Sequence, residues 1–184
     1  CFNLGVMHSK GDGGPQNKTK AREYYDKACD RGYATACFNV GAMHSTGIGG
    51  PVDKAAARVY YRKACDGDNL DACFNLGVMH AGGIGGPVDK PRAFEFHRRA
   101  CDGGYMESCQ NAGVMLLTGD GVEQDVTTGM AHCNKACDNG FALGCGVLGF
   151  LYSEGDVVPS DLPRARAFYT RACDGGDLDG CVNL

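Results

Sequence analysis

The residues of this chain best suited to do chemistry are its cysteines, and ten of the twelve follow one spacing. They form pairs with seven residues between the partners, and each pair lies 36 residues after the one before: Cys29/Cys37, Cys65/Cys73, Cys101/Cys109, Cys137/Cys145 and Cys173/Cys181. Cys1 lies 36 residues before Cys37 and so corresponds to the second cysteine of a pair, whereas Cys133 does not fit the pattern. Two cysteines per fixed period indicate a stack of similar modules, each held by a disulfide.

A metal site is the main alternative use of so many thiols. Zinc sites usually draw on close pairs such as C-x2-C, because the thiolates must converge on one ion at about 2.3 Å. Pairs on successive repeats would stand roughly 10 Å apart, which is one layer of packed helices, so we expect disulfides and no metal. The spacing alone leaves their connectivity open. If cysteines pair across seven intervening residues, Cys1 and Cys133 remain unpaired. If each pairs instead with a cysteine 28 residues away, starting with Cys1 and Cys29, then Cys133 and Cys181 remain unpaired.

Motifs for catalysis do not accompany the cysteines. Each of the five histidines stands where other repeats carry an aromatic or apolar residue, which favours packing over ligation. None of the five serines has a lysine three residues later, and G-x-S-x-G and H-E-x-x-H are absent. We therefore predict no catalytic residues and no cofactor.

The composition excludes two classes of partner. The net charge is -4 and no basic stripe is present, which argues against nucleic acid. No apolar run is long enough to span a membrane. The chain starts and stops at the same point of the repeat, without the polar capping units that solenoids need, so we expect a slice of a longer array.

Two helices per repeat are needed to position these residues. Helix A begins near the second cysteine of a pair, and Cys37, Val40, Gly41 and His44 form its buried stripe at i, i+3, i+4 and i+7. A glycine-rich loop leads to helix B, which is predicted to begin after an N-cap at one position of the repeat: Asn17, Asp53, Asp89, Asp125 and Asp161. Helix B ends near the first cysteine of the next pair.

This pattern resembles a known family. The run A-C-F-N-L-G-x-M-x-x-x-G-x-G followed by K-A-x-x-Y-Y-x-K-A-C-D-x-G is similar to the Sel1-like repeat, and more narrowly to the Helicobacter cysteine-rich proteins. Periodicity and resemblance together predict an all-α fold. It would be a right-handed α/α solenoid of tetratricopeptide-like repeats spanning 1–184, with units that start near residues 1, 37, 73, 109 and 145.

The resemblance also implies a disulfide pairing. The family pairs cysteines across seven residues, and the short loop closes more readily than the long one. We therefore expect one disulfide in each C-x7-C pair, contributing roughly 2.5 kcal/mol apiece by loop entropy. Cys1 and Cys133 would then be free, with Cys133 taking the place of a tyrosine that other repeats carry.

A column of asparagines on helix A is the best candidate for binding. It comprises Asn3, Asn39, Asn75 and Asn111, is broken by Val147 and returns at Asn183. Asparagine is a mediocre helix former, so its repetition needs a reason. If helix A lines a concave face, these amides would lie about 10 Å apart. An extended peptide rises about 3.3 Å per residue, so each amide could bind the backbone of every third residue. The resemblance to tetratricopeptide-type grooves implies the same kind of backbone binding. The alternative is that each amide bonds to a neighbouring repeat or helix end.

These observations predict a non-enzymatic scaffold that binds a protein or an extended peptide, either alone or as part of a larger complex. The paired cysteines predict an oxidising compartment, which would be the periplasm, the exterior or the mitochondrial intermembrane space. Two other functions stay open by resemblance. A similar cysteine-bearing protein assembles mitochondrial respiratory complexes, and members of the bacterial family are linked to penicillin binding and weak β-lactamase activity.

The pairing of the cysteines can be tested directly. Mass spectrometry of the proteolysed, non-reduced protein should show five cross-linked C-x7-C peptide pairs, with only Cys1 and Cys133 open to alkylation. Predominantly free thiols would contradict both the stapled repeat and the oxidising compartment.

Overall fold

The computed structural model describes residues 1–184, which fold into helices joined by turns. There are eleven α-helices: α1 (Phe2–Lys10), α2 (Lys18–Cys29), α3 (Ala34–Thr46), α4 (Lys54–Asp66), α5 (Leu70–Ala81), α6 (Lys90–Asp102), α7 (Met106–Thr118), α8 (Val126–Asp138), α9 (Ala142–Glu154), α10 (Leu162–Asp174) and α11 (Leu178–Val182). Odd-numbered helices are the helix A of a repeat and even-numbered ones are helix B. The predicted all-α fold with a helix pair per repeat is confirmed. No helix combines the length and the hydropathy needed to cross a bilayer.

Helix B begins at a side-chain cap in every complete repeat. The Asp53 carboxylate accepts a hydrogen bond from the Ala56 N–H at 2.9 Å, with Asp53 itself in an extended conformation. The other predicted N-caps make the same bond to the N–H three residues on: Asn17, Asp89, Asp125 and Asp161. Each such cap stabilises a helix by about 1 kcal/mol, so the repeated polar column marks the start of helix B.

Helix A begins three residues before the second cysteine of its pair. In α3, Tyr33 is the N-cap without a side-chain bond, and the helix starts at Ala34. The turn from α2 is tight because Gly32 adopts a left-handed φ of 82° and the Tyr33 N–H returns to the Ala28 carbonyl at 3.1 Å. Cys37 consequently lies in the first turn of α3, facing the end of α2.

A tyrosine ring lying on a glycine closes the helix pair within a repeat. A Cβ added at Gly41 would come 2.8 Å from the Tyr61 ring, which no side chain tolerates without movement. The first and last complete repeats repeat this contact between α1 and α2 and between α9 and α10. Glycine in mid-helix costs about 1 kcal/mol relative to alanine, and close packing of the buried ring compensates for it.

The chain divides into two compact units, Cys1–Phe96 and His97–Leu184. In the first unit α1 packs on α2, α3 on α4, and each helix B also packs on the next helix A. In the second unit α7 packs on α8 and α9 on α10, and α8 and α10 pack on α9 and α11. The A helices of that unit, α7, α9 and α11, also contact one another in sequence. The assignment of residues 1–184 to one continuous array stays a prediction.

The glycine–tyrosine contact predicts a destabilising effect for the smallest possible side chain. Gly41→Ala should lower the free energy of unfolding by about 1 kcal/mol, because displacing the Tyr61 ring costs roughly 2 kcal/mol and the gain in helix propensity is about 1 kcal/mol. Urea denaturation with the disulfides intact measures the change. Gly14→Ala is the control, since Gly14 faces open space and its φ is not positive. Equal effects of the two substitutions would contradict a packing role for Gly41.

Candidate functional site

Each disulfide joins the last turn of a helix B to the first turn of the following helix A. The structure contains Cys29–Cys37, Cys65–Cys73, Cys101–Cys109, Cys137–Cys145 and Cys173–Cys181, with Cα–Cα distances of 4.5 to 4.8 Å. The first four pairs are buried. Cys1 is a free exposed thiol and Cys133 a free buried one. The cysteines therefore lie at the junctions between repeats, where they hold helices together, and no group of three or more His, Cys, Asp or Glu side chains is arranged to hold a metal ion.

The asparagines of the helix-A column do not all have the same surroundings. Asn3 is exposed, and Asn39, Asn75 and Asn111 are half-buried. The Asn75 amide donates a hydrogen bond to the Asp71 carbonyl at 2.8 Å, within its own helix. The side chains of Asn39 and Asn111 make no hydrogen bond within the chain, so their amides remain open to a ligand. None of these amides bonds to a neighbouring repeat.

Two helix-A histidines of the first unit, His80 and His44, interact with an arginine of the preceding helix B. The Arg58 guanidinium contacts the His80 imidazole and donates to the Pro87 carbonyl at 3.4 Å. His80 is 2 % exposed. Burial, and after it the Arg58 charge, lowers the pKa of His80 to about 4, so the ring is neutral at pH 7. Burial and then the Arg22 charge also lower the pKa of His44, whose ring stacks on Tyr60 at 5.3 Å.

One serine–histidine contact forms in the second unit. His97 Nδ1 lies 3.4 Å from Ser108 Oγ, and burial lowers the pKa of His97 to about 4. His97 is 3 % exposed and Ser108 is fully buried. A nucleophile must reach its substrate, and this hydroxyl is enclosed between α6 and α7. The pair therefore packs the interior next to the Cys101–Cys109 disulfide.

Cys133 takes the place of the tyrosine in the fourth repeat and changes the packing there. Its Sγ lies 2.6 Å from where a Cβ on Gly113 would be, and the Gly113 carbonyl lies 2.9 Å from where a Cβ on Gly129 would be. Gly129 stands where the other repeats have alanine. The two glycines let α7 and α8 approach backbone to backbone, which fills the space of the missing ring. Burial raises the pKa of the Cys133 thiol to about 12, so it is protonated and unreactive at neutral pH.

An apolar groove of about 490 Å³ lies on the helix-A side of the second unit. It is bounded by α7, α9 and α11. Its apolar walls come from Val114 on α7, Leu143, Val147 and Phe150 on α9, and Val157 in the following loop. Phe150 is 55 % exposed and Leu143 49 % exposed, which is unusual for large apolar side chains grouped together. Sequence reasoning did not find this groove.

Two breaks in the repeat pattern produce the groove, and they were visible in the sequence. Gly146 stands where the first three repeats carry phenylalanine, and Val147 stands in the asparagine column. In the second repeat that phenylalanine, Phe38, packs on Tyr61 with ring centroids 5.6 Å apart. With no side chain at position 146, no phenylalanine ring covers the equivalent tyrosine, Tyr169. The Asp177 carboxylate lies there instead, 2.6 Å from where a Cβ on Gly146 would be, and all three residues line the groove.

Comparison with known proteins places the chain in a family. The Sel1 repeat profile matches it five times, over residues 1–33, 34–69, 70–105, 107–141 and 142–177. The matches take in nearly all of the sequence, and the chain belongs to the Sel1 repeat family. It is an all-α solenoid-type repeat protein with one disulfide per repeat. A search of curated protein sequences finds no match.

Solved structures similar to the chain come from several bacteria. A protective antigen of uropathogenic Escherichia coli with an SLR fold is 25% identical with a TM-score of 0.93, and the match covers 100% of this chain and 39% of that one. A Sel1 repeat protein from Oxalobacter formigenes is 26% identical with a TM-score of 0.83, covering 97% and 71%. Helicobacter pylori cysteine rich protein B is 26% identical with a TM-score of 0.56, covering 72% and 96%. The chain thus spans well under half of the E. coli protein.

The neutral histidine against Arg58 predicts a pH-dependent stability. Between pH 6.5 and about 4 the unfolded chain binds a proton at His80 that the folded chain does not, so the free energy of unfolding should fall as the pH is lowered through that window. The full loss from this group is on the order of 3 kcal/mol. Urea denaturation at several pH values measures it.

The control is His80→Leu, which places at this position the residue type of Leu116 in the fourth repeat. Carboxylates that titrate in the same pH range are present in both wild type and variant. Their contribution therefore cancels when the pH dependence of the variant's free energy of unfolding is subtracted from that of wild type. An equally steep loss of stability in the variant would show that His80 is not the source.

Proposed function

We propose that this chain is a non-enzymatic protein-interaction scaffold that binds an extended segment of a partner through the outer faces of its A helices. The Sel1 repeat fold is itself consistent with protein–protein interaction. The observation that supports the finer proposal is the set of half-buried asparagines, of which Asn39 and Asn111 have amides without a partner in the chain. An amide offers both a donor and an acceptor, which matches the alternating groups of a peptide backbone.

The arrangement of the helices favours the A side over the B side. In the second unit the A helices α7, α9 and α11 contact one another in sequence, so their outer faces form a continuous surface. In the first unit, helix-B side chains instead bond across to the preceding repeat. Tyr60 donates to the Asp26 carboxylate at 2.6 Å, and Lys63 pairs with Asp30 at 3.3 Å. These polar groups satisfy one another, whereas the helix-A amides of Asn39 and Asn111 have no partner in the chain.

The compartment we propose is an oxidising one, either extracellular or periplasmic. Five disulfides are uncommon in proteins kept in a reducing cytosol. The similarity to the H. pylori cysteine rich protein B points the same way. Each disulfide closes a loop of about nine residues, and such staples matter most where each module has little core of its own.

The asparagines can be tested together. Peptides selected from a random phage-displayed library on the wild-type protein should lose about a hundredfold in affinity for Asn39→Ala/Asn75→Ala/Asn111→Ala, because three backbone hydrogen bonds contribute about 1 kcal/mol each. Thermal stability should stay nearly unchanged, since only Asn75 bonds within the chain and that bond lies within one helix. Isothermal titration calorimetry and thermal denaturation provide the two readouts.

Asn134→Ala is the matched control. Asn134 is half-buried and donates to the Met130 carbonyl at 2.9 Å, as Asn75 does within its own helix, but it lies on the helix B α8. It should leave peptide affinity unchanged. A loss of several kcal/mol of stability in the triple variant would instead assign the asparagines a structural role.

A further inference from the structure

We propose that the groove between α7, α9 and α11 binds an aromatic side chain of a partner's extended segment, with a lysine or arginine next to that aromatic residue. This inference rests on the proposed function and names the chemistry that one part of the surface recognises. It follows from three features of the groove, which are a missing internal ring, an exposed apolar wall and a rim that is acidic only.

The missing ring is defined by comparison with the first repeat. There Phe2 packs between two aromatic residues, with its ring centroid 5.5 Å from that of Tyr25 and 4.7 Å from that of Tyr33. The equivalent positions in the fifth repeat are Gly146, Tyr169 and Asp177. The tyrosine is kept, but the phenylalanine and the second aromatic residue are both absent. A phenylalanine supplied by a partner would lie in the groove beside Tyr169, next to the Asp177 carboxylate that takes up the position of a Cβ on Gly146.

The size and the polarity of the groove suit such an anchor. An apolar cavity of roughly 150 Å³ holds a benzene ring, so about 490 Å³ holds an aromatic side chain together with its neighbours. Val114, Val147 and Phe150 supply apolar contacts around the ring. Buried aromatic anchors of this kind carry much of the affinity in protein interfaces. Val147 stands at the asparagine position of the repeat, so no amide is available there to bind a peptide backbone. In this repeat the ligand would therefore be recognised through its side chain.

The rim adds the preference for a basic neighbour. Asp177 and Asp179 line the groove, and no lysine or arginine does. The Asp177 carboxylate is held in place because it accepts a hydrogen bond from the Asp179 N–H at 3.3 Å as the N-cap of α11. A fixed negative rim selects a lysine or arginine beside the aromatic residue and disfavours an acidic one.

The test uses the same random phage-displayed peptide library, panned on the full chain. Enriched peptides should share an aromatic residue adjacent to lysine or arginine, and replacing that aromatic residue with alanine should weaken binding at least about tenfold. Gly146→Phe fills the groove with an internal ring, which also requires the Asp177 carboxylate 2.6 Å from the new Cβ to move, and should abolish binding of these peptides. Phe150→Ala, which introduces the residue that Ala42 provides in the second repeat, should weaken binding about tenfold without disturbing the cap of α11.

Charge and specificity are checked by two further variants. Asp177→Asn keeps a capping side chain, as Asn69 does at the same position, and should reduce affinity only for peptides that carry the basic neighbour. Val78→Ala is the matched control for Phe150→Ala, because Val78 occupies the same helix position in the first unit and is 39 % exposed, and it should have no effect.

The outcomes separate this inference from the proposed function. Peptides that bind Gly146→Phe and Phe150→Ala as well as wild type, but lose affinity for the asparagine triple variant, overturn the groove proposal and leave the scaffold function standing. No enrichment on the wild-type protein overturns both. A concentration-dependent dimer in sedimentation velocity that Gly146→Phe abolishes would assign the groove to a second copy of this chain and overturn the proposal.

Discussion

In the first, second and fifth repeats, the contact between a helix-B tyrosine and a helix-A glycine sets the distance between the two helices, and other packing is arranged around it. At Gly5, Gly41 and Gly149 an added Cβ would come within 2.6 to 2.8 Å of the facing ring, so the ring lies directly on the backbone of helix A. In the first two repeats a phenylalanine from helix A covers the same ring from another side. In the second repeat the other large buried side chains are Val40 and Met43, so one or two rings make up much of the core.

Because the core is so small, loss of a ring has a visible effect, and the chain shows two different results. In the fourth repeat the tyrosine becomes Cys133, and two glycines let the helices approach until the space is closed. In the fifth repeat the tyrosine stays and the phenylalanine becomes Gly146. The Asp177 carboxylate lies beside this glycine, and a groove forms next to them. The difference lies in which partner is lost. Without the inner ring the helices approach each other, whereas without the outer ring the tyrosine keeps its place and stays buried, at 6 % exposed, beside the groove.

The repeat was largely predictable from the sequence, and the groove was not. Asp53 caps a helix and Gly41 allows a close approach between two helices. Both effects are local, so the same residue type at the same position of another repeat predicts the same structure. The start of helix A was placed less well, because Tyr33 caps α3 without any side-chain bond and leaves no polar signal. The groove, by contrast, depends on the side chain that is absent at Gly146. Spacing predicts which residues share a face, but it does not give the distance from a vacant position to Tyr169 and Asp177.

The position of the disulfides has a consequence for survival after a backbone cut. Arg31 is exposed in the turn between α2 and α3, within the segment that Cys29–Cys37 encloses. A trypsin-like protease that cleaves after Arg31 opens the backbone, yet both new ends stay joined through sulfur a few residues away. The equivalent turns of later repeats are enclosed in the same way. Molecules nicked within these turns would therefore remain in one piece until a reductant reaches their sulfur bridges.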